Sequence, residues 1–140
     1  MLVTFSLALG LIAATVATQA IFMSIGLQIF KWFEEHRPMA MARNPTIASV
    51  IWIVFLIMPI VVDVALWAIF YYVQAALPSF EESLYFSIAT FTTVGYGDVV
   101  LGREWRLLAT FEAMNGWIIF GWATALIIAF IQRLYLRVVS

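Results

Sequence analysis

The 140-residue chain contains no cysteine, one histidine and few charges, which make up 11% of its residues. Without cysteine there is no disulfide bond, and one histidine among scattered carboxylates lacks the ligand spacing of a metal site. The formal net charge of −1 and the absence of a basic stripe give no reason to expect nucleic acid as a partner. No apolar segment carries arginine at every third position, so the pattern excludes a voltage sensor.

Hydrophobic residues, by contrast, make up 65% of the chain, and its mean hydropathy is +1.04. A soluble globular domain carries about 25% charged residues, so this composition indicates an integral membrane protein. Residues 4–30, 47–73 and 107–132 are each apolar over enough length to cross the ~30 Å hydrocarbon core as a helix. The sequence therefore predicts an all-α membrane protein with three transmembrane helices in contact with the lipid bilayer.

Basic residues outside these spans indicate which ends face the cytoplasm. Five of the seven lie in the polar connector, residues 31–46, and after the third span: Lys31, Arg37, Arg43, Arg133 and Arg137. The other two, Arg103 and Arg106, lie in the short loop of residues 99–106. The positive-inside rule then places the connector and the C-terminus in the cytoplasm and the N-terminus outside. The short chain and the lack of an organelle signal favour the inner (plasma) membrane of a bacterium.

Several side chains within the spans have a predictable environment. Trp67, Tyr71 and Tyr72 lie near the outer end of the second span, where aromatic residues commonly form a belt at the membrane surface. Thr15 and Gln19 share one face of the first helix, and we expect that face to pack against protein in the manner of an ordinary helix contact.

The segment before the third span is too short to cross the membrane again. Within residues 74–91, Ser79 reads as a helix cap, and Glu82 three residues later completes the pattern of a capping box. This predicts a short helix over residues 80–91 that enters from the outside and points its carboxyl end into the membrane. The negative end of its dipole would then face an ion pathway.

Residues 92–98 follow this helix and carry the most specific signal in the chain. They read Thr92, Thr93, Val94, Gly95, Tyr96, Gly97 and Asp98. Glycine adopts positive φ at little cost, so the two glycines allow consecutive carbonyl groups to turn to the same side. The run resembles the selectivity filter of potassium channels, in which four Thr-Val-Gly-Tyr-Gly loops replace the hydration shell of the ion with carbonyl oxygens.

The resemblance implies a homotetramer with fourfold symmetry, each chain with three identical partners, that conducts potassium passively and catalyses no reaction. Potassium would be permeant, bound by the carbonyl groups of Thr93, Val94, Gly95 and Tyr96. The pore domain would cover residues 47–140: outer helix 47–73, pore helix 80–91, filter 92–98 and inner helix 107–132. Residues 1–46 would be an additional transmembrane helix and its connector.

The resemblance also assigns roles to residues outside the filter. Tyr85 and Phe86 match an aromatic cuff that supports the filter, and the Tyr85 hydroxyl could bond to Asp98. Ala89 stands where some relatives have a carboxylate behind the filter. On the inner helix, the matching positions are a hinge glycine, a close-packing glycine and two residues that face the cavity: Gly116, Gly121, Phe120 and Thr124. Simple helix packing remains the alternative for Gly116, and Trp117 is expected to fill space between helices.

Two carboxylates, Asp63 and Glu112, lie inside spans, where an ionised group costs at least ~2.5 kcal/mol. Arg106 is a possible partner for Glu112, whereas Asp63 has no evident cation at its depth. Either carboxylate could make gating sensitive to pH, and a structural hydrogen bond is the alternative for both.

Two other functions compete with that of a channel. A potassium transporter component would resemble four fused pore repeats, of which this sequence has one. A non-conducting or regulatory membrane subunit would carry a vestigial filter, and the intact Thr-Val-Gly-Tyr-Gly run speaks against it.

Overall fold

The computed structural model describes residues 2–36 and 44–139, except for the side chains of residues 34 and 134–139. It contains four helices in these ranges and no strand: α1 (Leu2–His36), α2 (Pro45–Val73), α3 (Phe80–Phe91) and α4 (Arg106–Val139). Three of them, α1, α2 and α4, are long and apolar enough to cross a membrane. The all-α fold with three spans and one short helix is therefore confirmed. The predictions for Arg37, Arg43 and the Arg137 side chain lie outside the described residues.

The helices extend beyond the apolar segments that predicted them. Residues 31–36, which were assigned to the connector, continue α1 and residues 45–46 begin α2, so the connector is shorter than the predicted 31–46. The inner helix was predicted to end at residue 132, but α4 continues to Val139. Charged residues mark where a helix leaves the hydrocarbon and not where it ends, because Lys, Arg and Glu are good helix formers.

The short helix α3 begins as its sequence predicts. The Ser79 side chain accepts a hydrogen bond from the backbone N–H of Glu82 at 3.1 Å, and Ser79 itself has extended backbone geometry. This bond satisfies one of the free N–H groups of the first turn, where Glu81 and Glu82 also favour the positive end of the helix dipole.

The main hydrophobic core lies where α3 packs between α2 and α4. Trp67 and Tyr71 of α2 are fully buried in it, so their predicted place in an aromatic belt is wrong. Tyr72, on the other side of α2, is exposed. The outer end of a span carries aromatic residues on both its lipid face and its protein face, and composition alone does not separate the two.

The absence of a side chain at Gly116 allows α4 to pack closely against the end of α3. A Cβ atom at Gly116 would lie 2.0 Å from the carbonyl oxygen of Phe91, the last residue of α3. The helix is continuous through this point, so Gly116 serves close contact here. Gly121, predicted at a close-packing position, has open space around it within the chain, and Trp117 is 74% exposed and fills no space between these helices.

Two buried hydrogen bonds attach α1 to the other spans. The Gln19 Nε2 donates to Asp63 Oδ2 of α2 at 3.0 Å, and the Asn115 Nδ2 of α4 donates to Thr15 Oγ1 at 2.8 Å. Thr15 and Gln19 therefore point at protein, as expected, but each bonds a polar partner. Since polar groups lack water in hydrocarbon, these bonds fix the position of α1 on α2 and α4.

Replacing Thr15 by valine should therefore weaken the docking of α1. Valine keeps the shape of the side chain but leaves the Asn115 amide without its acceptor, at a cost of about 1 kcal/mol. Thermal unfolding in detergent micelles should show a lower midpoint. The control is Thr18→Val, because Thr18 is only partly buried and its hydroxyl bonds the Ala14 carbonyl of its own helix. Equal midpoints for the two variants would contradict the docking role of Thr15.

Candidate functional site: the loop after the short helix α3

The backbone of the loop after α3 alternates in the sign of φ. Thr93, Gly95 and Gly97 have φ of +60°, +55° and +79°, whereas Val94 and Tyr96 between them stay in the usual negative range. Successive residues of opposite handedness cancel each other's twist, so their carbonyl groups can line up on one side of the strand. The loop thus has the backbone pattern that a row of carbonyl ligands requires.

Positive φ at Thr93 is unusual, because a β-branched residue seldom adopts it and strain of about 1–3 kcal/mol is typical. Hydrogen bonds to α3 hold the loop in this conformation. The N–H of Thr93 donates to the Thr90 carbonyl at 2.9 Å, and the N–H of Gly95 donates to the Ala89 carbonyl at 3.0 Å. The position of α3 therefore determines the position of the first half of the loop.

The outer end of the loop is held by side chains. The Tyr85 hydroxyl donates to Asp98 Oδ2 at 2.7 Å, and the Val99 N–H donates to Asp98 Oδ1 at 3.0 Å. The Tyr85 ring also stacks on that of Tyr96, at 6.4 Å between centroids. The bond from Tyr85 lowers the pKa of Asp98 and raises the pKa of Tyr85, since it favours the carboxylate and uses the phenolic proton.

This hydrogen bond predicts a pH dependence. Because the pKa of Asp98 is lowered, its carboxylate contributes stability above its ordinary pKa of about 4, and that contribution is lost as pH falls through the lowered value. Tyr85→Phe should raise the pKa of Asp98 toward the ordinary value, so acid should disturb the loop at a higher pH. An NMR titration with labelled aspartate would measure the pKa. Tyr72→Phe is the control, and an unchanged pKa in Tyr85→Phe would contradict the prediction.

Phe86, the other predicted support residue, and Ala89, which stands where some relatives have a carboxylate, occupy different surroundings. Phe86 is buried within the chain and its ring lies edge-on to Tyr71 of α2, at 5.4 Å. Ala89 borders a pocket of about 220 Å³ between α3 and the loop, where its small side chain leaves room. The loop residues from Thr93 to Asp98 are themselves exposed in the single chain, including 53% of Val94 and 71% of Tyr96.

Phe120 and Thr124, the two residues predicted to face the cavity, lie one turn apart on α4. The Phe120 ring packs against Phe91 at the end of α3, with 6.1 Å between centroids, and the Thr124 hydroxyl bonds the Phe120 carbonyl at 2.8 Å. Both residues line a groove of about 350 Å³ on α4, together with Trp117, Ile118 and Gly121. The predicted cavity residues therefore share one surface, and Gly121 belongs to the same surface.

The two buried carboxylates have hydroxyl and amide partners. Asp63 accepts the bond from Gln19, and its other oxygen is unpartnered in the described residues. Glu112 accepts a bond from the Tyr71 hydroxyl at 2.8 Å, and Ser87 of α3 lies 2.5 Å from its second oxygen. The predicted partner of Glu112 was wrong, because Arg106 Nε donates to the Leu101 carbonyl at 3.4 Å.

Sequence reasoning missed Tyr71, Ser87 and Asn115 as members of this buried polar set. Serine and tyrosine occur in spans for many reasons. Their shared partner, Glu112, lies 25 residues after Ser87 and 41 residues after Tyr71. The one available signal was Asn115, because an amide inside an apolar span requires a polar partner.

Comparison with known protein families matches residues 57–133 to the ion channel family, which covers more than half of the chain. The matched range runs from the second span through the loop to the end of the third span, so it contains the whole site described above. The chain therefore belongs to the ion channel family. No curated protein and no solved structure matches it.

Proposed function

We propose that this ion channel is selective for potassium and that four copies of the chain form one pore. The observation that carries the proposal is the alternating sign of φ at Thr93, Gly95 and Gly97. With this backbone, the carbonyl groups of Thr93, Val94, Gly95 and Tyr96 would replace the hydration shell of potassium, and the Thr93 hydroxyl would add the innermost ligand ring. Permeation is passive, and potassium is the transported ion.

One chain supplies one wall of such a site, and its exposed surfaces support assembly. The loop is uncovered within the chain, as are the large apolar side chains Trp117 and Ile118 on α4. Irregular backbone at membrane depth is tolerated only where protein or a wet cavity surrounds it. Three further copies around an axis would surround each loop and would bury the groove on α4.

Basic residues at the ends of the spans support the orientation that completes this proposal. With the C-terminus in the cytoplasm and Asp98 on the outer face, the carboxyl end of α3 points into the membrane toward the ion path. The protein would lie in the inner membrane of a bacterium, with its N-terminus outside.

Flux from liposomes tests the proposal. Purified protein in liposomes with an outward potassium gradient should release potassium, barium should block the release, and sodium under the same gradient should pass far more slowly. Equal potassium and sodium flux would leave an ion channel without the proposed selectivity. The absence of both potassium and sodium flux would favour a non-conducting or regulatory subunit. Flux that requires a second transported ion would favour a transporter component.

A further inference from the structure

Glu112 lies near the start of the third span, where side chains from two other helices meet it. Tyr71 of α2 donates to one of its oxygens at 2.8 Å, and Ser87 of α3 lies 2.5 Å from the other. The side chains of all three residues are fully buried. The conduction mechanism proposed above uses none of them.

The hydrogen count at Ser87 indicates which group carries the proton. The Ser87 Oγ lies 3.0 Å from the Val64 carbonyl oxygen and 2.5 Å from Glu112 Oε1. A hydroxyl has one proton, and a carbonyl oxygen only accepts. If each contact is a separate two-centre hydrogen bond, Ser87 donates to Val64 and Glu112 donates to Ser87. In this arrangement the carboxyl group is protonated.

The charges around Glu112 agree with a neutral side chain. In the described parts of α1, no charged residue occurs before Lys31, so the helix that packs on α4 brings none to this depth. The titratable or charged groups of the other elements include Tyr71 and Asp63 on α2, Glu81 and Glu82 at the exposed start of α3, and Arg106 on α4, which bonds Leu101. Tyr72 of α2 and Tyr85 of α3 are exposed, and Arg133, at the far end of α4, lies over the Phe30 ring of α1. No cation among the described residues contacts Glu112, and an unpaired carboxylate here would be costly.

We propose that Glu112 is a positioning residue for the filter, bonded as a carboxylic acid, which ties the pore helix α3 to α2 and α4. The inference rests on the proposed function, since it makes Glu112 a support of the proposed potassium filter. It also names what replaces the brace missing at Ala89: the supporting carboxyl group comes from the inner helix and bonds the far side of α3.

The connection from Glu112 to the filter runs through α3. Ser87 lies one turn before Phe91, where α3 ends and the loop begins. Between them, the Ala89 carbonyl holds the N–H of Gly95 at 3.0 Å. A shift of α3 at Ser87 therefore moves the anchor of Gly95. Carbonyl ligands that shift in this way lose their match to potassium.

Four variants in liposomes test the assignment through potassium flux and the ratio of potassium to sodium flux. Glu112→Leu and Ser87→Ala break the connection and should lower the potassium flux or the ratio about tenfold, the factor set by one lost hydrogen bond. Glu112→Gln should stay within about twofold of wild type, because an amide N–H donates to Ser87 as the acid does. Ser83→Ala is the matched control, since Ser83 is equally buried on α3 but bonds only the Ser79 carbonyl.

Infrared difference spectroscopy measures the proton directly. The spectrum of wild type minus Glu112→Gln should contain the C=O band of a protonated carboxyl group that shifts in D₂O. Absence of this band, or a Glu112→Gln variant as impaired as Glu112→Leu, would overturn the protonated state. Wild-type flux and selectivity in Ser87→Ala would overturn the positioning role, and this small substitution decides the matter if Glu112→Leu does not assemble. A wild-type protein without potassium flux would instead overturn the proposed function.

Discussion

Replacing Gly116 by alanine is expected to prevent the native packing of the inner helix against the pore helix. The new methyl carbon would lie 2.0 Å from the Phe91 carbonyl oxygen, whereas Cβ atoms essentially never approach another heavy atom within 3.0 Å. The obstacle is backbone, which no side-chain rotation can relieve. The two helices must therefore separate, at a cost of about 1–3 kcal/mol or more in each chain.

The effect of Gly116→Ala is measurable as a lower unfolding midpoint, a smaller yield of assembled protein and loss of ion flux. Gly10→Ala is the matched control, because Gly10 also lies inside a spanning helix but has open space around its Cβ position. There the higher helix propensity of alanine should leave stability unchanged or improve it by up to ~1 kcal/mol. If Gly116→Ala unfolds and conducts as wild type does, the close approach of α4 to α3 is not required.

Gly97→Ala should abolish potassium-selective flux for a different physical reason. A Cβ atom at Gly97 meets nothing within 4 Å of the chain, so space is not the obstacle. The obstacle is φ of +79°, which costs an L-residue about 1–2 kcal/mol. Four chains in one ring would bear this cost together, and relaxation to negative φ would turn a carbonyl group away from the ion.

Liposome flux distinguishes the two glycine variants. Gly97→Ala should keep the helical circular dichroism and an unfolding midpoint close to that of wild type, because the loop contributes little to the core. Its potassium flux, or its preference for potassium over sodium, should fall at least about tenfold. A Gly97→Ala protein that conducts potassium with unchanged selectivity would show that the left-handed conformation is dispensable, and the proposed filter would lose its main support.

Those features of the fold that depend on neighbouring residues were predictable from the sequence. The cap at Ser79 lies three residues from its partner Glu82, and the glycines of the loop were expected to adopt positive φ because little else does so readily. The three spans follow from the length of their apolar runs. In each case the interaction that decides the structure is complete within one short segment.

Contacts between distant segments were predicted less well. Glu112 was paired with Arg106, one to two turns away, but its partners come from α2 and α3. Tyr71 was assigned to the membrane surface, because a sequence position near the end of a span does not state which way the side chain faces. The sequence identified the unusual groups inside the membrane and could not say which helix would satisfy them.

The role of glycine shows the same limit. Gly116 and Gly121 lie five residues apart in one helix, and the sequence offers the same arguments for both. Only the approach of the Phe91 carbonyl separates them, and that depends on how α3 docks. Gly121 faces the surface that the proposed assembly would cover, so in that assembly its neighbours would come from another chain.

The bonds from α1 to Asp63 and Asn115 limit how this channel can be rebuilt. A chimera that transplants residues 44–140 behind a foreign membrane anchor would carry a carboxyl group and an amide into the hydrocarbon without their acceptors or donors. A chimera that keeps these hydrogen bonds must also include Thr15 and Gln19. For protein engineering, the smallest portable unit is therefore all three spans, although the resemblance to other pores covers only two.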